Sequence, residues 1–229
     1  MWRYRPSPLE LDALLKEAGS PISGAGTTTR VYALEIDGEP FFLKLSESES
    51  LKSLLPRLWK VRAWCSSTEL EGRNLQWLAG QGVAVIPVQT LATRYRFGLP
   101  VAGFMLSRAQ PGDSLEALLQ SAPSPRRSEL AEAYGALCAQ LHGLGVYEPL
   151  RAKDVIVDRH QLILLDREKP PGRPGWHKQA ALRSLERAWY RNRRSGLVLD
   201  ATRSEAFVRG YCRVCAQADA LSVAGRVKG

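Results

Sequence analysis

The sequence predicts an α+β fold in two parts, a small antiparallel sheet in residues 1–109 and a mostly helical part in residues 110–229. Three observations carry this expectation. The apolar stretches VYALEI and PFFLKL flank Asp37-Gly38, a dipeptide suited to a tight hairpin turn. A second pair of strand-like runs meets at Gly98-Leu99-Pro100. Beyond residue 110, apolar side chains recur at helical spacing through residues 129–145, 177–196 and 204–222.

The 229 residues suit one large domain or two small lobes, and 45% hydrophobic content with six Trp is ample for a packed core. No apolar run reaches about 18 residues, the length a membrane-spanning helix needs. The opening MWRYRPSPLELDALL lacks the apolar centre of a signal peptide, so a cytosolic protein is expected. Four Cys fit that compartment in reduced form. Cys212-x-x-Cys215 lacks the second pair that a closed zinc site needs, since Cys65 and Cys138 stand alone; buried helix-face thiols are the simpler reading. The net charge of +9 favours an anionic partner: nucleic acid, lipid head groups or a phosphorylated sugar. Nucleic acid is not expected, because the aromatics fall on apolar faces and no nucleic-acid-binding motif is present.

In chain order, residues 7–18 read as a short helix with Ser7 as cap and Pro8 in its first turn. Gly24 and Gly26 precede the first strand; they form either a plain turn or a loop whose bare backbone approaches a phosphate. Lys44 lies inside FFLKL and shares a face with Phe42, opposite Phe41, Leu43 and Leu45. It is either an edge residue reaching solvent or a cation placed deliberately. Residues 46–66 carry an apolar stripe broken by Pro56, with Lys52, Arg57, Lys60 and Arg62; packing on the sheet part is favoured over contact with a membrane surface. An amphipathic helix bearing Leu70, Leu75, Trp77 and Leu78 ends at Gly82, and VAVIPV reads as a strand. The run FMLSRAQ is a buried strand that breaks at Pro111-Gly112, before a helix capped by Asp113 or Ser114.

In the second part, Ser128 is the expected cap of the 129–145 helix. A hairpin follows, residues 155–157 and 162–165, with Asp154 just before it and Asp166 just after. A hairpin brings its outer ends together, so two carboxylates would face one space, as a divalent metal on phosphates requires. On the 177–196 helix, Arg183, Arg187 and Arg191 form one stripe, either a solvated face or an anion dock. The last helix is expected over 204–222.

These pieces resemble the protein-kinase-like phosphotransferases, in particular the lipopolysaccharide core kinases that act on Kdo and heptose. Leu141-His142 and Gly145 are similar to that family's helix end, and Leu165-Asp166-Arg167-Glu168-Lys169 to its metal-binding strand end. Glu71, Asn74, Leu75, Leu78, Gly82 and Val83 match its helix pattern without a gap, and ALRSLERA its C-terminal helix. Counting back from Asp154 puts Tyr147-Glu148-Pro149 where His-Arg-Asp is expected.

The resemblance implies a two-lobed, protein-kinase-like fold that uses ATP and Mg²⁺. It implies that Gly24 and Gly26 cover phosphates, that Lys44 held by Glu71 grips the non-transferred phosphates, and that Asp154 and Asp166 hold the metal. Glu148 would stand in for the missing catalytic Asp. Arg151, Lys153, Arg183 and Arg187 would meet an anionic acceptor, a sugar of the lipopolysaccharide inner core, at the cytoplasmic face of the inner membrane. The replaced His-Arg-Asp leaves a second expectation open, a pseudokinase that binds nucleotide, sugar or a partner without efficient turnover.

Overall fold

The computed structural model describes residues 15–16, 20–24, 28–50, 54 and 64–227. The expected 7–18 helix, apart from the helical Leu15 and Lys16, lies outside the described residues, as do Gly26 and most of the 46–66 segment. The chain divides into two compact units after Gln110, with Asp166–Pro170 belonging to the first.

The first unit is a four-stranded antiparallel sheet, β1 (Thr29–Ile36), β2 (Glu39–Ser46), β3 (Val88–Arg96) and β4 (Leu99–Arg108), in the order β1-β2-β4-β3. Asp37 and Gly38 take left-handed φ values of 52° and 77°, which the β1–β2 turn requires. Phe97 (49°) and Gly98 (77°) make the β3–β4 turn, so the chain reverses one residue earlier than the Gly-Leu-Pro signal suggests. Pro100 lies at the start of β4, beyond the stretch that β2 pairs, where a missing N–H costs the sheet little. VAVIPV does not form the expected strand: Pro87 cannot donate to a ladder, and β3 begins only at Val88.

Helix α1 (Ser67–Gly80) lies on one face of this sheet, and Ser66 caps it by accepting from the Glu69 amide at 3.2 Å. Two glycines permit the close approach. A Cβ on Gly72 would collide with Leu91 of β3, and one on Gly103 of β4 with the capping Ser66. The other sheet face carries the core of Tyr32, Leu34, Leu43, Leu45, Ala92 and Phe104. Strand alternation therefore turns Lys44 away from that core, onto the side where α1 lies.

The second unit begins with the two-residue strand β5 (Asp113–Ser114), which pairs with β6 (Val155–Asp158); β7 (Gln161–Leu164) completes the small sheet. Ser114 caps α2 (Leu115–Ser121). Helix α3 (Ser124–Gly143) starts four residues before the expected cap Ser128, because Pro125 is compatible with a first turn, where its missing N–H has no partner to lose. A short 3₁₀ turn (Ala152–Asp154) precedes β6. Then come α4 (Lys178–Arg194), α5 (Ala201–Val214) and α6 (Ala220–Val227). The single helix expected over 204–222 is thus two. Asp219 accepts from the Leu221 and Ser222 amides at 3.2 and 3.1 Å, an N-cap arrangement that starts α6 afresh.

Helices α3 and α5 meet through glycines. A Cβ on Gly135 would strike the Phe207 carbonyl, and one on Gly210 the Glu132 carbonyl. Around this crossing, Tyr134, Trp189 and Phe207 pack edge to face with centroids 5.3–5.9 Å apart. Among the described residues no helix is long and apolar enough to cross a membrane.

Candidate functional site

In the first unit a charged cluster forms on the α1 side of the sheet. Lys44 Nζ donates to both oxygens of Glu71, at 2.6 and 2.8 Å, and lies 3.6 Å from Asp166 Oδ2. Glu71 is only 3% exposed, whereas the Asp166 side chain keeps 31% of its surface. One end of the cluster is therefore dry and the other reaches solvent. Burial raises the Glu71 carboxyl to about 7; the attraction of Lys44 opposes this and the nearby Asp166 carboxylate adds to it. Burial alone would lower the Lys44 ammonium, but Glu71, Asp166 and Glu168 outweigh it, and Lys44 is held charged.

Glu69 and Glu71 lie two residues apart on α1. The structure separates them. Glu69 accepts from Thr93 Oγ1 and pairs with Arg73, so it fastens the start of α1 to β3. Of these two, Glu71 is the one directed at Lys44. Asn74, one turn further along α1, donates to the Arg167 carbonyl at 3.0 Å and so ties the residue after Asp166 to the same helix. Asn74 has no role in the sequence reading. Its signal was the spacing of three from Glu71, which puts both on one helix face. Arg167 is 2% exposed, and its Nε and Nη2 have no hydrogen-bond partner among the described residues.

Gly24 has φ +88°, and a Cβ there would collide with the Thr29 carbonyl, so this position must be glycine. Ser23 bridges to Val31 beside it.

In the second unit the segment after α3 is fixed by aromatic and backbone contacts. His142 is buried, with Nδ1 2.7 Å from the Tyr211 hydroxyl, and its ring stacks on Tyr147 at 5.4 Å. The Tyr147 hydroxyl donates to the Gly175 carbonyl at 2.5 Å and accepts from the His177 amide at 3.0 Å. Gly172 and Gly175 donate to the carbonyls of Gly145 and Gly143. The loop after the hairpin thus holds the LHGLG turn and engages the residue that stands where the family has His. Pro149 is buried and carries no acid; Glu148 is half-buried.

Asp154 sits at the end of the 3₁₀ turn. Its carboxylate accepts from Arg151 Nε at 2.6 Å and Nη2 at 2.8 Å, a two-pronged pair that leaves the side chain 13% exposed. Its carbonyl accepts from the Leu165 amide at 3.0 Å, so the outer ends of the hairpin do close, at the residue before Asp166. The side chain is turned to a cation, where the sequence reading has it facing a metal. Asp154 and Asp166 belong to different units. Lys153, Arg183 and Arg187 are exposed.

Among the described residues no three His, Cys, Asp or Glu side chains group to hold a metal. A magnesium ion on a nucleotide asks for less, one or two carboxylates with the remaining positions taken by phosphate and water. Asp166, partly exposed beside Lys44, fits that demand.

Residues 19–208 match the model of the APH phosphotransferase enzyme family. A search of curated proteins finds no match. Among solved structures the chain is similar to WaaP in complex with acyl carrier protein, with TM-score 0.65 and 18% identity over 97% of this chain and 90% of that one. It is also similar to WbdD, with TM-score 0.54 and 14% identity over 92% of this chain; it spans 45% of WbdD. Both likenesses are likenesses of fold. A four-stranded antiparallel sheet with one helix, followed by a helical part, is the protein-kinase-like arrangement, and with most of its length covered by the family model the chain belongs to the APH phosphotransferase family.

Proposed function

We propose that the chain is an ATP-dependent phosphotransferase acting on a sugar hydroxyl of the lipopolysaccharide inner core, a heptose or Kdo. The observation that carries this reading is the Lys44–Glu71–Asp166 cluster, a cation gripped by a buried carboxylate with a second carboxylate at its solvent side. Lys44 would neutralise the phosphates that stay behind. Glu71 and Asn74 would hold Lys44 and the segment after Asp166 in place before nucleotide arrives, so that little reorganisation accompanies binding. Asp166 and Asp154 are the side chains that would hold Mg²⁺, which when bound neutralises charge on the transferring phosphoryl group. Gly24 would bring bare backbone to the phosphates. Glu148 would accept the proton of the acceptor hydroxyl.

The acceptor class rests on the family pattern and the basic surface. The net charge of +9 also supports action at the cytoplasmic face of an anionic membrane, without insertion.

A second reading, a pseudokinase, is favoured by one observation. Tyr147 is spent on Gly175 and His177, and Pro149 offers no carboxylate, so neither supplies the base that His-Arg-Asp would. Two measurements separate the readings. Thermal shift with Mg²⁺ and ATP is expected to stabilise the wild type and to vanish in Lys44→Ala and Asp166→Ala; equal shifts in all three would remove the nucleotide site from this cluster. Phosphate transfer to core oligosaccharide, lost in Glu148→Gln, supports the enzyme; ATP binding with no transfer by the wild type supports the pseudokinase.

A further inference from the structure

The sequence points to Arg183, Arg187 and Arg191 as an anion dock, but the structure gathers a different set. Arg151 and Lys153, around the 3₁₀ turn, line one pocket of about 370 Å³ with Arg191, Asn192, Arg194 and Ser195 from the end of α4. Arg183 and Arg187 do not line it. Four of its six lining residues are cations and none is an acid. Arg151 is answered by Asp154. Among the described residues, Lys153, Arg191 and Arg194 make no ion pair.

A basic last turn complements a helix dipole, and this alone accounts for Arg191 and Arg194. It does not account for two more cations brought to the same hollow by another element. The two walls are also locked together. Asn192, 1% exposed, accepts from the Ala152 amide at 3.1 Å and donates to the Tyr134 hydroxyl at 3.2 Å; that hydroxyl donates to the Leu150 carbonyl at 2.6 Å. The backbone carrying the cations therefore cannot easily move apart to relieve their mutual repulsion, which a bound anion would relieve. Arginine forks match phosphate oxygens two at a time, and the volume suits a small polar ligand.

We propose that this pocket binds a phosphate monoester carried by a sugar, so that the acceptor is already anionic before the chain acts on it. The pocket gives the proposed acceptor a second point of attachment, away from the hydroxyl that reacts. The biological sense rests on the phosphotransferase reading, but binding at the pocket can be tested without it.

The probes are mannose 6-phosphate, mannose and inorganic phosphate, each without nucleotide, followed by calorimetry and thermal shift. Mannose 6-phosphate is expected to bind, inorganic phosphate more weakly, and mannose not at all. Arg191→Gln with Arg194→Gln is expected to weaken mannose 6-phosphate about tenfold or more. Arg191→Lys with Arg194→Lys keeps the charge and should retain part of the affinity. Lys153→Gln, at an exposed position, should weaken binding too and serves if the double variant folds poorly. Lys44→Ala should leave the affinity unchanged. Unchanged affinity in the Gln variants, or loss of binding in Lys44→Ala, overturns the proposal, the latter by moving the anion to the nucleotide cluster. Equal binding of inorganic phosphate and mannose 6-phosphate removes the sugar from it. If mannose 6-phosphate binds but ATP does not, the pocket stands and the phosphotransferase reading falls.

Discussion

Glu71 couples the candidate site to pH. Its carboxyl is raised from an ordinary 4.5 to about 7 by burial. Between those values the folded chain keeps a proton that the unfolded chain has released, so this residue's contribution to stability falls as pH rises through that window. Urea midpoints measured across it should show the wild type losing stability relative to Glu71→Gln, with a constant difference above pH 7.5 or so. A pH-independent difference would mean that Glu71 titrates normally. Only ionised Glu71 gives Lys44 its full grip, so ATP affinity should rise across the same range in the wild type and not in the variant. A second residue-scale prediction concerns Phe97, which is 92% exposed at a left-handed position where Asn, Asp or Gly is usual. The Arg96 guanidinium lies over its ring, 5.4 Å from the centroid. Phe97→Asn should stabilise the chain by roughly 0.5–1 kcal/mol in urea unfolding, since it relieves strain and removes no buried contact.

At the scale of elements, the joints depend on small residues and on single side chains that cross between segments. Gly135 and Gly210 let the backbones of α3 and α5 approach closely. Alanine at either position forces the helices apart, at a cost of roughly 1–3 kcal/mol, and the double variant should be less than additive because one displacement serves both. Chemical denaturation measures both effects. Asn74 ties α1 to the Arg167 carbonyl. Asn74→Ala should cost about 1 kcal/mol of stability and, on the proposed function, weaken ATP binding more than transfer at saturation. An unaltered ATP dissociation constant would confine Asn74 to a structural role.

For the whole molecule, ligand linkage is the most general test. An ATP concentration about 100 times its dissociation constant should add about 2.7 kcal/mol to the stability of whatever unfolds with the site. In a chain of 229 residues this corresponds to a rise in Tm of roughly 5–10 °C. The two compact units offer a finer reading. Lys44, Glu71 and Asp166 all belong to the first, so hydrogen exchange should show ATP protecting β2 and α1 most strongly. Mannose 6-phosphate should instead protect the 3₁₀ turn and the end of α4.

The sequence by itself determined what short-range rules encode. Asp37-Gly38 sets the first hairpin, alternation in FFLKL turns Lys44 to the side away from Leu43 and Leu45, and the period of residues 129–145 sets most of α3. The pairing of Lys44 with Glu71, 27 residues away, was legible only through a family pattern, because neither residue's neighbours indicate the other. Tertiary structure alone decided the rest. It occupied Tyr147 with the loop at Gly175 and His177, and it turned Glu71 rather than Glu69 to Lys44. It also brought Arg151 and Lys153 to Arg191 and Arg194, about forty positions apart in the chain. Hydrophobic period and turn chemistry act over a few residues, whereas the partner of a buried charge is chosen by which segments packing brings together, and that depends on the whole chain.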